Sequence, residues 1–279
     1  MNRSELHNRV AVISGGSSGL GESIAAAFLA DGYRVVITGR DALRLTDAQN
    51  RIAMSVAGAE ARISPIVCDA TDQESVRDCF GKIAAEMGRI DVLVNCVGRS
   101  DRGQIENLAL DRLRELIDAN VVSALLCSQA ALPLLRQSRG VVINIGSLSS
   151  KVGARYLGGY SAAKHALAGL TQQMRLEWLP LGVHVGLVNP GPIRRPDAGK
   201  RYSAAAGDLP ESAKLPAGGA KLRGLDPQRV AAAVLRCAKR RQKDVIMPGY
   251  LRLMVAIGHA FPAVGDWLLL RFTGGDQRP

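Results

Sequence analysis

The chain is poor in aromatic residues and histidine and has no paired cysteines, and each shortage removes a class of function. Aromatic residues make up 4% of its 279 residues, and no basic stretch is interleaved with them. A stacking platform for nucleic acid is therefore not expected, nor is a nucleic-acid partner. The five cysteines (Cys68, Cys79, Cys96, Cys127 and Cys237) are scattered without a CxxC pair. An odd, dispersed set argues against a disulfide framework and points to a reducing, cytoplasmic compartment. The four histidines, His7, His165, His184 and His259, lack ligand spacing, so no metal is expected. No G-x-S-x-G elbow accompanies His165, which is then read as a helix-face or core residue rather than a catalytic base. The N-terminus MNRSELHNRV has no apolar run, so a secretory signal is not expected. No window of about 18–20 uninterrupted apolar residues exists either, which argues against a spanning helix.

What remains is ordinary globular material, with 47% apolar and 22% charged residues. The net charge of +11 favours phosphorylated cofactors or anionic lipid and says nothing about the fold. Short β-branched runs alternate with longer Ala-rich stretches. Strands are expected at 9–14, 34–38, 63–68, 91–95, 141–145, 183–188 and 244–247. Helices are expected from Leu20, after the second strand to about 57, from Gln73 to Met87, over 111–135, over 159–179 and over 227–241. Strands apolar on both faces and separated by helices give an α/β fold, a doubly wound, Rossmann-like parallel sheet covered on both sides. Residues 1–250 are expected to form one Rossmann-like domain, and 251–279 an apolar or amphipathic extension.

The first strand runs into Ser14-Gly15-Gly16-Ser17-Ser18-Gly19-Leu20-Gly21. Glycines between a strand and a helix let backbone N–H groups approach a pyrophosphate, and the helix N-terminus adds positive potential. The second strand ends in Gly39-Arg40, where an NAD site would carry an acid. A guanidinium there suits a 2′-phosphate, so NADP(H) is expected ahead of NAD(H), unless Arg40 is merely a solvated helix-start residue. Further on, Tyr160 and Lys164 are four apart on a helix and share a face. A nearby ammonium lowers a phenol's pKa from about 10 and makes proton exchange feasible. Ser147, on the loop after the fifth strand, is placed to donate a hydrogen bond to a substrate oxygen as negative charge develops on it.

The glycine spacing, with Ser147, Tyr160 and Lys164 in this order, resembles the short-chain dehydrogenase/reductase family. Several residues acquire a role only through that resemblance. Asp69 corresponds to the family's acid beside the adenine, although it could equally cap the following helix. Asn95-Cys96-Val97-Gly98 stands where the family has Asn-Asn-Ala-Gly. Asn95 and Gly98 match, and would steady the sheet edge and line the nucleotide cleft. Asn120 corresponds to an asparagine that bends its helix and holds a water between the lysine and solvent, although it could be a helix-interior polar residue. Pro190, Gly191 and Ile193 match the turn beside the nicotinamide, and Arg195 departs from the family's usual threonine. The resemblance spans Ser14 to Ile193 and implies hydride exchange with a small carbonyl or alcohol, with Tyr160 as general acid/base. It also implies homodimers or homotetramers through 111–135 and 159–179. An NAD-linked alcohol dehydrogenase and a catalytically silent nucleotide-binding regulator are the alternatives.

Residues 194–224 carry seven basic and three acidic side chains, a formal +4, and are expected to cover the substrate. They suggest an anionic or lipid-like substrate, or simply a solvated face. The apolar tail Leu251–Phe272 is either a helix packed on the pocket or a partner subunit, or a peripheral anchor lying on a membrane.

Overall fold

A computed structural model describes residues 8–194, 209, 210, 213 and 222–273, with side chains described as far as Arg271. Its seven strands are β1 (Val10–Ser14), β2 (Arg34–Gly39), β3 (Ile63–Val67), β4 (Val92–Asn95), β5 (Val141–Ile145), β6 (His184–Pro190) and β7 (Asp244–Met247). All pair in parallel in the order β3-β2-β1-β4-β5-β6-β7. The helices are α1 (Gly19–Ala30), α2 (Ala42–Ser55), α3 (Gln73–Met87), α4 (Leu110–Ile117), α5 (Ser123–Ser138), α6 (Tyr160–Trp178), α7 (Pro227–Lys239), α8 (Leu251–Ala260) and α9 (Pro262–Thr273). The expected doubly wound sheet is present.

Alternation along the strands sorts the core into two layers. Ala11 and Ile13 of β1 point to the layer formed with α1, α2 and α7, where Ile24, Phe28, Ile52 and Val234 are buried. Val10 and Val12 point the other way, toward Phe80 of α3, Leu135 of α5 and Trp178 of α6. Water is excluded from both faces, which is why every residue of β1 and β5 is buried. Helix starts are fixed locally. Asp41, Asp72 and Asp226 each accept a backbone N–H from the first turn of α2, α3 and α7. Asp72 therefore caps α3, and the capping role that Asp69 could have filled falls to its neighbour.

The helical region expected over 111–135 is continuous from Leu110 to Ser138 but not uniform. A π-helical turn, Asp118–Val122, separates α4 from α5. The Asn120 side chain causes it. Asn120 Nδ2 donates to the Leu116 carbonyl at 2.8 Å, and the Ser123 N–H reaches back five residues to Asp118. By length and composition this 29-residue run is apolar enough to cross a membrane. It is instead built into the body, with Asn120, Cys127, Ala131 and Leu135 buried.

The tail stands apart from the layers, and the 194–224 segment is described only in part. Within 194–224, Arg194 pairs with Asp226 at 2.9 Å. Most of the remaining charges, Arg195, Asp197, Lys200, Arg201, Asp208, Glu211, Lys214 and Lys221, lie outside the described residues. The tail forms a helical hairpin. Phe261, forced out of helical geometry by the proline that follows, closes α8 at φ −132°, and Pro262 opens α9. The two helices cross at Gly258 and Gly265, where a Cβ on Gly265 would lie 2.8 Å from the Gly258 Cα. Among the described residues, none of α8 or α9 lines the cleft discussed next.

Candidate active site

After β3 the chain returns to the other side of β1 to form β4, so the loops leaving the C-terminal ends of β1 and β4 diverge. Ligand crevices of doubly wound sheets open at such a point. Here a cleft of about 1040 Å³ extends from the β1 turn to the ends of β5 and β6.

Its first wall is backbone. Gly15 has φ +76°, and a Cβ on Gly21 would lie 2.1 Å from the Gly15 carbonyl oxygen, so the turn can close only around glycine. Gly16 packs against Ile37, where a Cβ would lie 2.7 Å from the Ile37 side chain. Gly19 is different: it has φ +57°, and a Cβ there would touch nothing within 4 Å. It faces open space. Ser18, the N-cap of α1, makes no side-chain bond to the first turn of its helix. The leading amides of a 12-residue helix thus face the cleft without a side-chain cap, the arrangement that favours an anionic group. Ser17, Leu20 and Gly21 complete this wall.

The outer rim lies at the ends of β2 and β3. Gly39 leaves room beside Ser17, whose Oγ would be 2.9 Å from a Cβ at position 39. Arg40 is largely exposed, with its guanidinium 4.0 Å from Asp69. Burial works against the Asp69 charge. The hydroxyl and N–H of Thr71 donate to Asp69 and Arg40 lies close, so its carboxyl is held below the usual range.

The inner wall carries the polar side chains. Asn95, alone among the expected residues, does not line the cleft. Its Nδ2 donates to Asn144 Oδ1 at 2.8 Å and Ser128 Oγ at 2.9 Å, tying β4 to β5 and α5 from behind. In front stands Gly98. A Cβ there would be 2.7 Å from Asn120 Oδ1 and 3.3 Å from Lys164 Nζ, so both groups converge on the space glycine leaves. Lys164 is buried and donates to the Ile145 carbonyl at 2.9 Å. Its Nζ lies 5.9 Å from the centroid of the Tyr160 ring. Burial pushes the Lys164 ammonium down to about 8, against a small opposing effect of Cys96. Ser147 precedes a short 3₁₀ turn, Leu148–Ser150, that fixes it twice. Its Oγ accepts from the Ser149 N–H at 3.1 Å, and its own N–H donates to Ser150 Oγ at 3.0 Å. Ser147, Tyr160, Lys164 and Asn120 thus share one wall, and Pro190, Gly191 and Ile193 form its continuation after β6. His165, one residue beyond Lys164, is exposed on α6 and bonded to the Ser161 carbonyl.

Sequence reasoning missed the far end of the cleft. Asp101, buried, accepts from Arg112 Nη2 at 2.8 Å and Nε at 3.1 Å. Arg102, also buried, donates to the Ala213 carbonyl at 2.7 Å. A Cβ on Gly158 would meet Asp101 Oδ2 at 2.5 Å, so the loops after β4 and before α6 are pinned together. No local pattern marks these residues, because they meet only when two loops distant in sequence close on each other.

The sequence profile of the short chain dehydrogenase family matches residues 9–206. The chain belongs to this family. Its similarity to dehydrogenase/reductase SDR family member 7B of Danio rerio is 30% identity over 250 residues, 88% of this chain and 79% of that one. An uncharacterised oxidoreductase of Staphylococcus saprophyticus is 34% identical over 215 residues, 75% of this chain and 91% of its own. Among solved structures, a short-chain dehydrogenase from Streptomyces avermitilis superposes with a TM-score of 0.76 at 26% identity, covering 94% of this chain and 97% of that one. RhlG of Pseudomonas aeruginosa, solved as an active-site complex with NADP, gives 0.73 at 27% identity, covering 86% and 95%. This short-chain dehydrogenase/reductase is therefore an oxidoreductase whose fold binds a nicotinamide cofactor and acts on small molecules.

Proposed function

We propose that this oxidoreductase interconverts a carbonyl and the corresponding alcohol with NADP(H), using Tyr160 as general acid and base. The observation that carries the reading is Lys164 Nζ, buried and 5.9 Å from the Tyr160 ring centroid, on the same wall as Ser147. The open backbone cradle at Gly19, with the first amides of α1 beside it, fits a pyrophosphate. Gly15, Ser17, Ser18, Gly19, Leu20 and Gly21 would hold that part of the cofactor. Asp69 and Gly98 would flank its nucleoside end and its path inward, with Pro190, Gly191 and Ile193 beside the nicotinamide. Arg40, with the room Gly39 leaves beside Ser17, would hold a 2′-phosphate through charge-assisted hydrogen bonds.

A nicotinamide bound there supplies a hydride to the carbonyl carbon or takes one up from the alcohol. The protein handles the proton. Tyr160 gives its hydroxyl proton to the substrate oxygen in reduction and takes it back in oxidation. Ser147 Oγ donates to the same oxygen while it carries negative charge. The Lys164 ammonium stabilises the phenolate that remains, and its bond to Ile145 fixes its position. Asn120 Oδ1 faces Lys164 across Gly98, where it would order a water for reprotonation.

We read residues 1–250 as the oxidoreductase domain and place the protein in the cytoplasm. Exposed Leu110, Leu176 and Leu179 on α4 and at the end of α6 support a homodimer or homotetramer through 111–135 and 159–179. The test is consumption of NADPH by purified protein against a panel of aldehydes and ketones. NADPH oxidised only when a carbonyl is supplied, and faster than NADH, is the expected result. No turnover across the panel despite tight NADPH binding would favour a silent nucleotide-binding protein instead.

A further inference from the structure

Among the described residues, nothing covers the apolar side of the hairpin α8–α9. On α8, Tyr250, Leu253 and Ile257 recur at spacings of three and four and continue into Phe261, a single stripe along one side of a helix. The inward face is formed instead by Leu251, Met254, Val255 and Gly258. On α9, Val264, Trp267 and Leu270 form a second stripe, opposite Gly265, Leu268 and Leu269. Leu253 is 68% exposed and Trp267 56% exposed, whereas Trp178, the chain's other tryptophan, is buried. The Arg271 guanidinium of α9 sits 5.4 Å above the Trp267 ring, and Arg252 of α8 and Asp266 of α9 are exposed on the polar sides of their helices.

We propose that this hairpin is a docking surface for an anionic lipid bilayer, and that the carbonyl substrate is an amphipathic molecule drawn from it. The substrate part rests on the function proposed above; the docking does not. Three observations favour lipid. The helices have 10 and 12 residues, roughly 15 and 18 Å, too short to cross a hydrocarbon core of about 30 Å but suited to lying in its surface. Exposed apolar stripes that carry a tryptophan under an arginine and end in a tyrosine are the pattern of interfacial helices. The chain carries +11, which is drawn to an anionic surface.

The position of the hairpin gives the docking a consequence. It follows β7 directly, and the cleft residue Gly191 lies against the Met247 carbonyl and Pro248 at the end of that strand. A ring nitrogen of His259 donates to the Lys151 carbonyl at 2.6 Å, four residues past Ser147. Lys151 in turn bonds Asp244 of β7. The hairpin thus stands against the loop that carries Ser147, and seating it on a bilayer brings the substrate end of the cleft to the interface.

The test is flotation of the full chain with vesicles of phosphatidylcholine alone or with about 30% phosphatidylserine. It compares wild type with Leu253→Asp/Trp267→Asp and, separately, with Arg252→Glu. Both sets of positions face solvent, and circular dichroism and NADPH binding check that the fold is kept. Wild type floats with the anionic vesicles, and the double variant floats at least roughly tenfold less. The variant also loses turnover of a long-chain ketone carried in vesicles, while turnover of a short, water-soluble ketone is unchanged. Wild type that stays in solution overturns the proposal. So does a double variant that floats like wild type, or one whose only change is a smaller oligomer by sedimentation, which would make the surface an interface between copies. A protein that floats as described yet consumes no NADPH leaves the docking surface standing and removes the proposed activity.

Discussion

The two sides of the cleft are built on opposite terms. On the inner wall Asn120 and Lys164 are buried, bonded to backbone carbonyls, and meet across a gap that only glycine leaves open. On the outer rim Arg40 faces solvent, and the Arg40–Asp69 pair is loose at 4.0 Å. Proton transfer depends on sub-ångström placement and a tuned electrostatic environment, so it needs a wall that cannot relax. Choice between nucleotides depends on one charge and some space, so an exposed side chain suffices. The inner wall should therefore be intolerant of small changes, and the rim should accept large ones with a change of preference only.

The sharpest way to break this contrast is Gly98→Ala. The added Cβ would sit 2.7 Å from Asn120 Oδ1, displacing it and closing the gap to Lys164. Turnover should fall about 100-fold, within the range that misplaced acid–base groups cost, while the unfolding midpoint moves little. Steady-state kinetics beside a thermal melt separate the two, and unchanged turnover would mean that the gap is not used.

A smaller effect concerns stability. Burial lowers the Lys164 ammonium from 10.5 to about 8. Below pH 8 both folded and unfolded chains hold this proton, and the folded one bears the cost of a buried charge. Between about 8 and 10.5 the folded chain releases the proton first, so the unfolded state binds more protons and this contribution to stability rises with pH. Lys164→Met should then stabilise the protein at pH 7 by about 1–3 kcal/mol, a gain that shrinks toward pH 10. Urea unfolding of both proteins at the two pH values measures the difference, and a gain independent of pH would contradict the burial argument.

How far the sequence foretold this molecule depended on how local each cause was. The strands announced themselves because a doubly covered sheet demands apolar residues on both faces, as in VAVIS and VVINI. The glycine turn was legible because close backbone approach leaves no alternative residue. The π turn at Asp118–Val122 had no signal in the residues themselves, only in the resemblance that gave Asn120 a helix bend, since it arises from one side-chain amide competing for the Leu116 carbonyl within an otherwise helical stretch. Asp101, Arg102 and Arg112 carry no local signal, because their partners come from distant loops. The tail was recognisable as apolar, yet its division at Phe261-Pro262 and the outward stripes emerge only once the Gly258–Gly265 crossing fixes which sides face inward.

One paired measurement tests the division of labour most directly: the affinity for NADPH and NADH and the single-turnover rate of carbonyl reduction, for wild type, Tyr160→Phe and Arg40→Asp. The account predicts that Tyr160→Phe binds NADPH as wild type does and loses about 1000-fold in rate. Arg40→Asp should lose NADPH affinity by about 10–100-fold, come to prefer NADH, and reduce the carbonyl with it at close to the wild-type rate. A Tyr160→Phe protein that still turns over at wild-type rate, or an Arg40→Asp protein that keeps its preference for NADPH, would contradict it.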